Sequence, residues 1–386
     1  MYVTHKVKKK EILFFAGYFL LGLTNIVIGN SYLFGEKRII ICKMVQYLSA
    51  IMFVGSFCVD KYKIKDFVIR IVIVALAFLV TAKSHGIGFG LCALSIITSL
   101  NINPEKIIKN SVRNNLLFIT IVVVPALLGF IPDMQYVHNG MKAHSLGFAY
   151  YSNLPNILFM LTLEIYWRAK TRKKENLILI LSLPIQIIIY MISTLRLTLY
   201  LYVLFLVTAL GARFYNCKKK HRIMTIISTL MFPIASVGTF IISFLYEKLK
   251  LIAKFNELIN YRLGFNYRGF MMYGLSLFGQ KIETVEEYWD ENYINHYFYI
   301  DSGYVFSILS YGIVFFLILL IMYTCISRYA VEENKIKLAV WCLMICIYLV
   351  INDVMFNTAL NPLPMIAFNL MWENQKKKKI NGKRTG

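Results

Sequence analysis

Charge is scarce in this chain. Only 16% of its 386 residues are charged, against roughly 25% in ordinary soluble domains. So little hydrated surface excludes a soluble enzyme. Acid is scarcer still, with 20 Asp and Glu against 42 Lys and Arg, a formal charge of +22. A basic excess raises nucleic acid as a partner, but that needs cations clustered on a solvated face. Here 58% of residues are hydrophobic and mean hydropathy is +0.60, so nucleic acid is excluded as well. Several motifs are also missing. There is no D-x-D pair to hold a metal with a nucleotide sugar, no His/Cys ligand cluster and no G-x-x-x-x-G-K-[ST] phosphate loop. Metal and cofactor are therefore expected to be absent, and ATP-driven transport is excluded. No signal-peptide cleavage pattern follows the first apolar run.

What is present is a series of apolar runs. Spanning a hydrocarbon core takes about 20 mostly apolar residues. Candidates are Ile12–Asn30, Ile39–Val59, Phe67–Ala82, Gly86–Ile102, Leu116–Ile131 and Ser145–Tyr166. Six more are Leu177–Thr194, Leu197–Ala212, Ile223–Tyr246, Gly303–Cys325, Leu338–Ile351 and Thr358–Trp372. With the N-terminus inside, 29 of the 42 basic residues fall on the inner side, 11 outside, and Lys43 and Arg70 within spans, near enough to the ends to snorkel. That asymmetry obeys the positive-inside rule and puts both termini in the cytoplasm. Of the seven cysteines, six lie in or at spans and Cys217 in an inner loop. No extracellular disulfide framework is available, and these cysteines read as small apolar packing residues.

The expected organisation is an all-α integral membrane protein of about twelve transmembrane helices: nine over 1–246, a large extracellular loop over 247–302, three more helices over 303–372, and a basic cytoplasmic tail over 373–386. The loop has about 55 residues and carries six Lys/Arg against eight Asp/Glu. Connections of that length are usually functional. Its first part, EKLKLIAKFNELINYRLG, has helical periodicity. Leu251, Phe255, Leu258 and Ile259 share a face with Arg262 in its middle, either snorkelling or pressed toward lipid headgroups. Next comes RGFMMYGLSLFGQ, in which Arg268 and Gly279 are separated by ten residues. The following ETVEEYWDENYINHYFYID, with Trp289, is acidic and aromatic. It suits a sugar, or an interfacial aromatic belt.

Other outer-side candidates are few. Arg196 sits in the tight ISTLRLT turn against the orientation rule, and an ionisable group there is a functional hypothesis. Lys142 and His144 precede SLGFAYYSN, and His is the side chain best suited to move protons near neutral pH. Asp301 and Asp353 flank spans, as carboxylates with chemistry to do or as helix caps. Several arginines and one histidine at one membrane face fit an anionic, lipid-anchored substrate, because guanidinium groups grip phosphate oxygens in bidentate fashion.

The order HSLGFAYYSN, STLR, NYRLGFNYRGFMMYGLSLFG, IDSGY with YGI, and NDVMFNTALNPLP resembles the Wzy-type O-antigen and capsular repeat-unit polymerases, especially those of Gram-positive bacteria. Asp353 stands where a Glu is commoner. The resemblance covers nearly the whole chain in topology but rests on short motifs. It implies a GT-C-like polymerase/ligase architecture and an enzyme that joins undecaprenyl-diphosphate-linked oligosaccharide repeat units at the outer face of the cytoplasmic membrane. The growing chain leaves its lipid diphosphate for a sugar hydroxyl of the incoming unit. By position Arg196 matches the family's Arg of the short outer turn. Arg262 matches the Arg before the "slfG" segment, while Arg268 with Gly279 fits an Arg-x10-Gly pattern and competes for that role. His144 sits where a basic residue or His is usual.

On that footing Arg196 and Arg262 (or Arg268) clamp the diphosphate, and His144 or Asp301 accepts the proton of the attacking hydroxyl. Substrate-binding candidates are Arg268, Gly279, Lys142, Asp353 and Trp289. Expected partners are the lipid-linked saccharide, the bilayer, and a flippase and chain-length regulator of the same pathway. A flippase of the same substrate is the competitor, requiring polar groups near mid-span. An O-antigen-ligase-like transferase differs only in its acceptor.

Overall fold

The structure, a computed structural model, describes residues 2–60, 64–84, 86–138, 140–214, 221–284 and 298–370. Trp289 and the 373–386 tail lie outside these. The described chain is almost entirely helical. In order come α1 (Tyr2–Gly22, continued by a π-helical turn over Leu23–Ile28), α2 (Arg38–Val59), α3 (Ile64–Ser84), α4 (Ile87–Thr98) and α5 (Pro104–Leu127). An antiparallel hairpin, β1 (Gln135–His138) with β2 (Met141–His144), interrupts the helices. Then follow α6 (Asn153–Arg168), α7 (Arg172–Ser193), α8 (Arg196–Phe214), α9 (His221–Leu245), α10 (Lys250–Leu258) and α11 (Arg262–Tyr273). The last named helices are α12 (Gly303–Ser310), α13 (Gly312–Glu332) and α14 (Ile336–Tyr348). A further helical stretch covers 363–370.

Among the described residues, eight helices are long and apolar enough to cross a membrane, and α4 and α14 are shorter apolar helices. Their outer faces are bare: Ile39, Ile40, Met44 and Ile51 on α2, and Ile180, Ile188 and Met191 on α7, are exposed. Apolar surface of that extent is tolerated in lipid, where the helical backbone satisfies its own polar groups. The packed centre is built from α6, α12, α13, α14 and the chain from 351 to 370. There Trp341, Tyr323 and Met355 are fully buried, and Tyr323 donates to the Met355 carbonyl at 2.7 Å.

Helix ends segregate to two opposite ends of the bundle. At one end, Lys10 pairs with Asp60 and donates to the Leu100 carbonyl, Lys106 meets Glu11, Lys170 meets Glu105, and Lys337 meets Glu175. At the other, Ala149 N–H donates to Asn30 O at 2.8 Å and Tyr32 N–H to Gly147 O at 3.1 Å.

Local boundaries differ from the sequence expectation where polar helix meets apolar helix. α5 starts twelve residues before Leu116, because Asn103 caps it (Oδ1 to Glu105 N–H, 2.8 Å) with Pro104 at the first helical position. The sixth run starts as helix only at Asn153, since 141–152 is strand and turn. The tenth run is two helices. Gly312 breaks it at φ +82, and the chain from 276 to 280 fills the gap. Ile313 N–H donates to Ser276 O at 2.9 Å and Gln280 N–H to Ser310 O at 3.1 Å.

Two interior features correct the expectation of nearly charge-free spans. Arg70 does not snorkel: it is 2% exposed and lies 3.4 Å from Asp60, which also holds Lys10. Glu164 on α6 is fully buried, with one oxygen accepting from Ser111 at 3.0 Å and the other without a partner among the described residues. It sits inside an apolar run, which masks it in a hydropathy scan.

Candidate functional site

Three short segments, remote in sequence, meet at the end of the bundle opposite the Lys–carboxylate pairs. The first is the start of α11. The expected single helix over 247–264 is broken, because Asn260 and Tyr261 are both left-handed (φ +57 and +60). Such backbone is costly for side-chain-bearing residues. The break starts a new helix at Arg262 and swings that side chain off the α10 face into the bundle. There its Nε meets Asp301 Oδ2 at 2.9 Å, and Nη1 donates to the Ile351 carbonyl at 3.1 Å. The second guanidinium terminal nitrogen, Nη2, makes no hydrogen bond among the described residues.

The second segment is Asp301–Gly303, and the third is the non-helical chain after α14. Gly303 N–H donates to Leu349 O at 2.9 Å. A Cβ on Gly303 would fall 2.7 Å from the Asn352 carbonyl oxygen, so only glycine permits this approach. Tyr299 Oη donates to Asp353 Oδ2 at 3.2 Å. The Tyr348 hydroxyl, buried without a hydrogen-bond partner among the described residues, lies within the field of Asp353, Arg262 and Asp301. Burial pushes the Asp301 carboxyl above its ordinary range, with the Arg262 guanidinium opposing that shift. Chemically, the arrangement is a guanidinium oriented by a carboxylate, with donor capacity left over for an anion.

The remaining candidates lie apart. Arg268 is on the opposite side of α11 from Arg262, its guanidinium 5.7 Å from the Phe298 ring. The two arginines therefore do not share a place. Gly279 (φ +87) serves the helix break, where a Cβ would lie 2.3 Å from the Ser310 carbonyl oxygen. Arg196 is exposed as the first residue of α8, after a left-handed Thr194, and has no ion pair among the described residues. A cation there opposes the helix dipole and leaves the guanidinium to solvent or ligand. Lys142 is exposed on β2. His144 Nδ1 meets Asp133 Oδ2 at 2.6 Å, and Asp133 Oδ1 accepts from Leu146 N–H at 2.7 Å. β2 packs on α7, but no hydrogen bond or ion pair joins Arg196 or His144 to the Arg262 cluster among the described residues.

The sequence did not flag Asp133, Tyr299, Tyr348 or the Ile351 carbonyl. Asp133 alone left a trace, as a carboxylate in the same outer segment as His144. Among the described residues no three His, Cys, Asp or Glu side chains come together as metal ligands. No family model matches the chain, and no curated protein and no solved structure matches it either.

Proposed function

We propose that this protein is a membrane glycosyltransferase that polymerises undecaprenyl-diphosphate-linked oligosaccharide repeat units at the outer face of the cytoplasmic membrane. On this reading about twelve helices span the bilayer, both termini are cytoplasmic, and the Arg262 end faces outward. The observation that carries it is the meeting of Arg262, Asp301 and the 351–353 chain. These are three of the segments on which the sequence resemblance rests, and they are separated by about 40 to 50 residues.

Asp301 holds Arg262 through Nε, which leaves Nη2 directed to phosphate oxygens of the donor. Arg196 supplies a second cation. Charge growing on the departing diphosphate is stabilised by cations already in place, and removing one such donor costs on the order of 2.7–4 kcal/mol. His144, oriented by Asp133, accepts the proton of the attacking hydroxyl. Asp301 is the alternative base, since its raised pKa moves it toward neutrality. Arg262→Ala and Arg196→Ala are expected to abolish long polymer in cells while the protein stays in the membrane. Wild-type chain lengths from both variants would overturn the clamp.

One observation favours a transporter instead. Glu164, fully buried and without an ion-pair partner among the described residues, is the kind of interior group that ion-coupled carriers use. In that case Glu164→Gln would stop movement of the lipid-linked unit across the bilayer, and Arg262→Ala would not. The polymerase reading predicts instead that Arg262→Ala stops chain growth and Glu164→Gln does not.

A further inference from the structure

The α11 helix carries a second feature on the side away from Arg262. At 100° per residue, Arg262, Leu263, Asn266 and Gly269 fall on its inner face, where Leu263 and Asn266 are 2% and 1% exposed. Arg268 and Met271 fall on the outer face, and Tyr261 lies just before the helix. With Tyr246, Asn256 and Tyr267 they line a groove of about 390 Å³. Gly264 also lines it.

The lining has a distinct chemistry. Tyr246 and Tyr267 pack ring to ring with centroids 5.6 Å apart, and Tyr261 is 60% exposed. Tyr261 keeps a left-handed conformation that Asn or Gly would adopt more easily, and strain of this kind concentrates at ligand sites. Asn256 is 4% exposed. Its Oδ1 accepts from Leu263 N–H at 2.9 Å, while Nδ2 makes no hydrogen bond among the described residues. Beyond Met271 the surface turns apolar, with Met272, Leu275 and Leu277 exposed. Aromatic faces suit the C–H faces of a sugar ring, and phenol, amide and guanidinium groups suit its hydroxyls. A bare acyl chain needs no such donors, and a free phosphate would call for more than the one cation present.

We propose that this groove is a saccharide subsite that holds the sugar portion of a membrane-anchored glycolipid, with its lipid laid along the Met271–Leu277 surface. The proposal rests on the lipid-linked-saccharide reading above and adds a binding place separate from the Arg262 centre. It is tested with the full chain in nanodiscs and decyl maltoside as probe, read by saturation-transfer NMR, with decyl phosphocholine as the sugar-free control.

Sugar-ring protons are expected to saturate in wild type and in Arg262→Ala. Tyr261→Asn, which suits the left-handed backbone and so preserves the fold, is expected to weaken ring saturation about fivefold. Saturation of the alkyl tail alone, or ring saturation unchanged in Tyr261→Asn, would overturn the subsite. If polymer is lost in Arg262→Ala but ring saturation ignores Tyr261, the groove proposal falls and the polymerase reading stands. If ring saturation depends on Tyr261 but the wild type makes no polymer, the polymerase reading falls and a glycolipid site remains.

Discussion

The two ends of the bundle use their cations differently. At the Lys10 end, Glu11, Asp60, Glu105 and Glu175 each take a lysine from another segment. Cations there close against carboxylates between helices. At the Arg262 end, basic residues are fewer, and Arg196 and Lys142 have no ion pair among the described residues. Arg262 is held by a carboxylate and a carbonyl with donor capacity to spare. On the proposed function, carboxylates at the first end are tied to lysines across helices, whereas Arg262 keeps donor capacity for an anion.

The sharpest way to break this contrast is at Arg262. Arg262→Ala is expected to lower polymerisation about 10²–10³-fold, and Arg262→Lys not to restore it, because an ammonium cannot meet Asp301, Ile351 and an anion in one plane. Turnover on lipid-linked repeat units checks both. Next in size is Gly279→Ala, which places a methyl against the Ser310 carbonyl at a left-handed position. A loss of about 1–3 kcal/mol is expected, read as a lowered melting temperature in detergent. If Gly279 only touched substrate, activity would change and stability would not.

Asp133→Asn is expected to lower activity by about 1–3 kcal/mol in barrier without changing membrane insertion, because His144 loses its charged partner. The pH dependence of Asp301 follows from its raised pKa. The unfolded chain ionises first as pH climbs from the ordinary value of 3.8. Asp301 therefore contributes a stability loss over the window up to its raised value, and nothing further above it. The Arg262–Asp301 pair exists only above that window, so the acid limb of activity should lie above the usual carboxylate range and vanish in Asp301→Asn. The smallest effect belongs to the other end. Lys106, half exposed beside Glu11, should tolerate alanine within about 1 kcal/mol of stability and with normal activity. A large activity loss there would erase the contrast.

Much of the fold was legible because lipid imposes long apolar runs and charge bias on the chain. The run from Ile39 to Val59 matches α2 within a residue at each end. What failed did so where polar residues form helix or apolar residues do not. α5 begins in PEKIIKNSVRNN because it is capped, not because it is apolar. The break at Asn260–Tyr261 left no glycine or proline to announce it, so α10 and α11 read as one helix. Of the site, Arg262, Asp301 and Asp353 were visible singly as charges out of place. Their meeting was not, because 39 residues separate Arg262 from Asp301 and pairing at that range depends on tertiary packing. Glu164 was hidden by its apolar neighbours.

The most direct test is reconstitution. Purified wild-type protein and Arg262→Ala, each in liposomes with undecaprenyl-diphosphate-linked repeat units, are compared by the length distribution of their products on a gel. A polymer ladder from wild type and unextended repeat units from Arg262→Ala is the expected result. Equal ladders from both proteins, or none from wild type with repeat units moved across the bilayer instead, would contradict it.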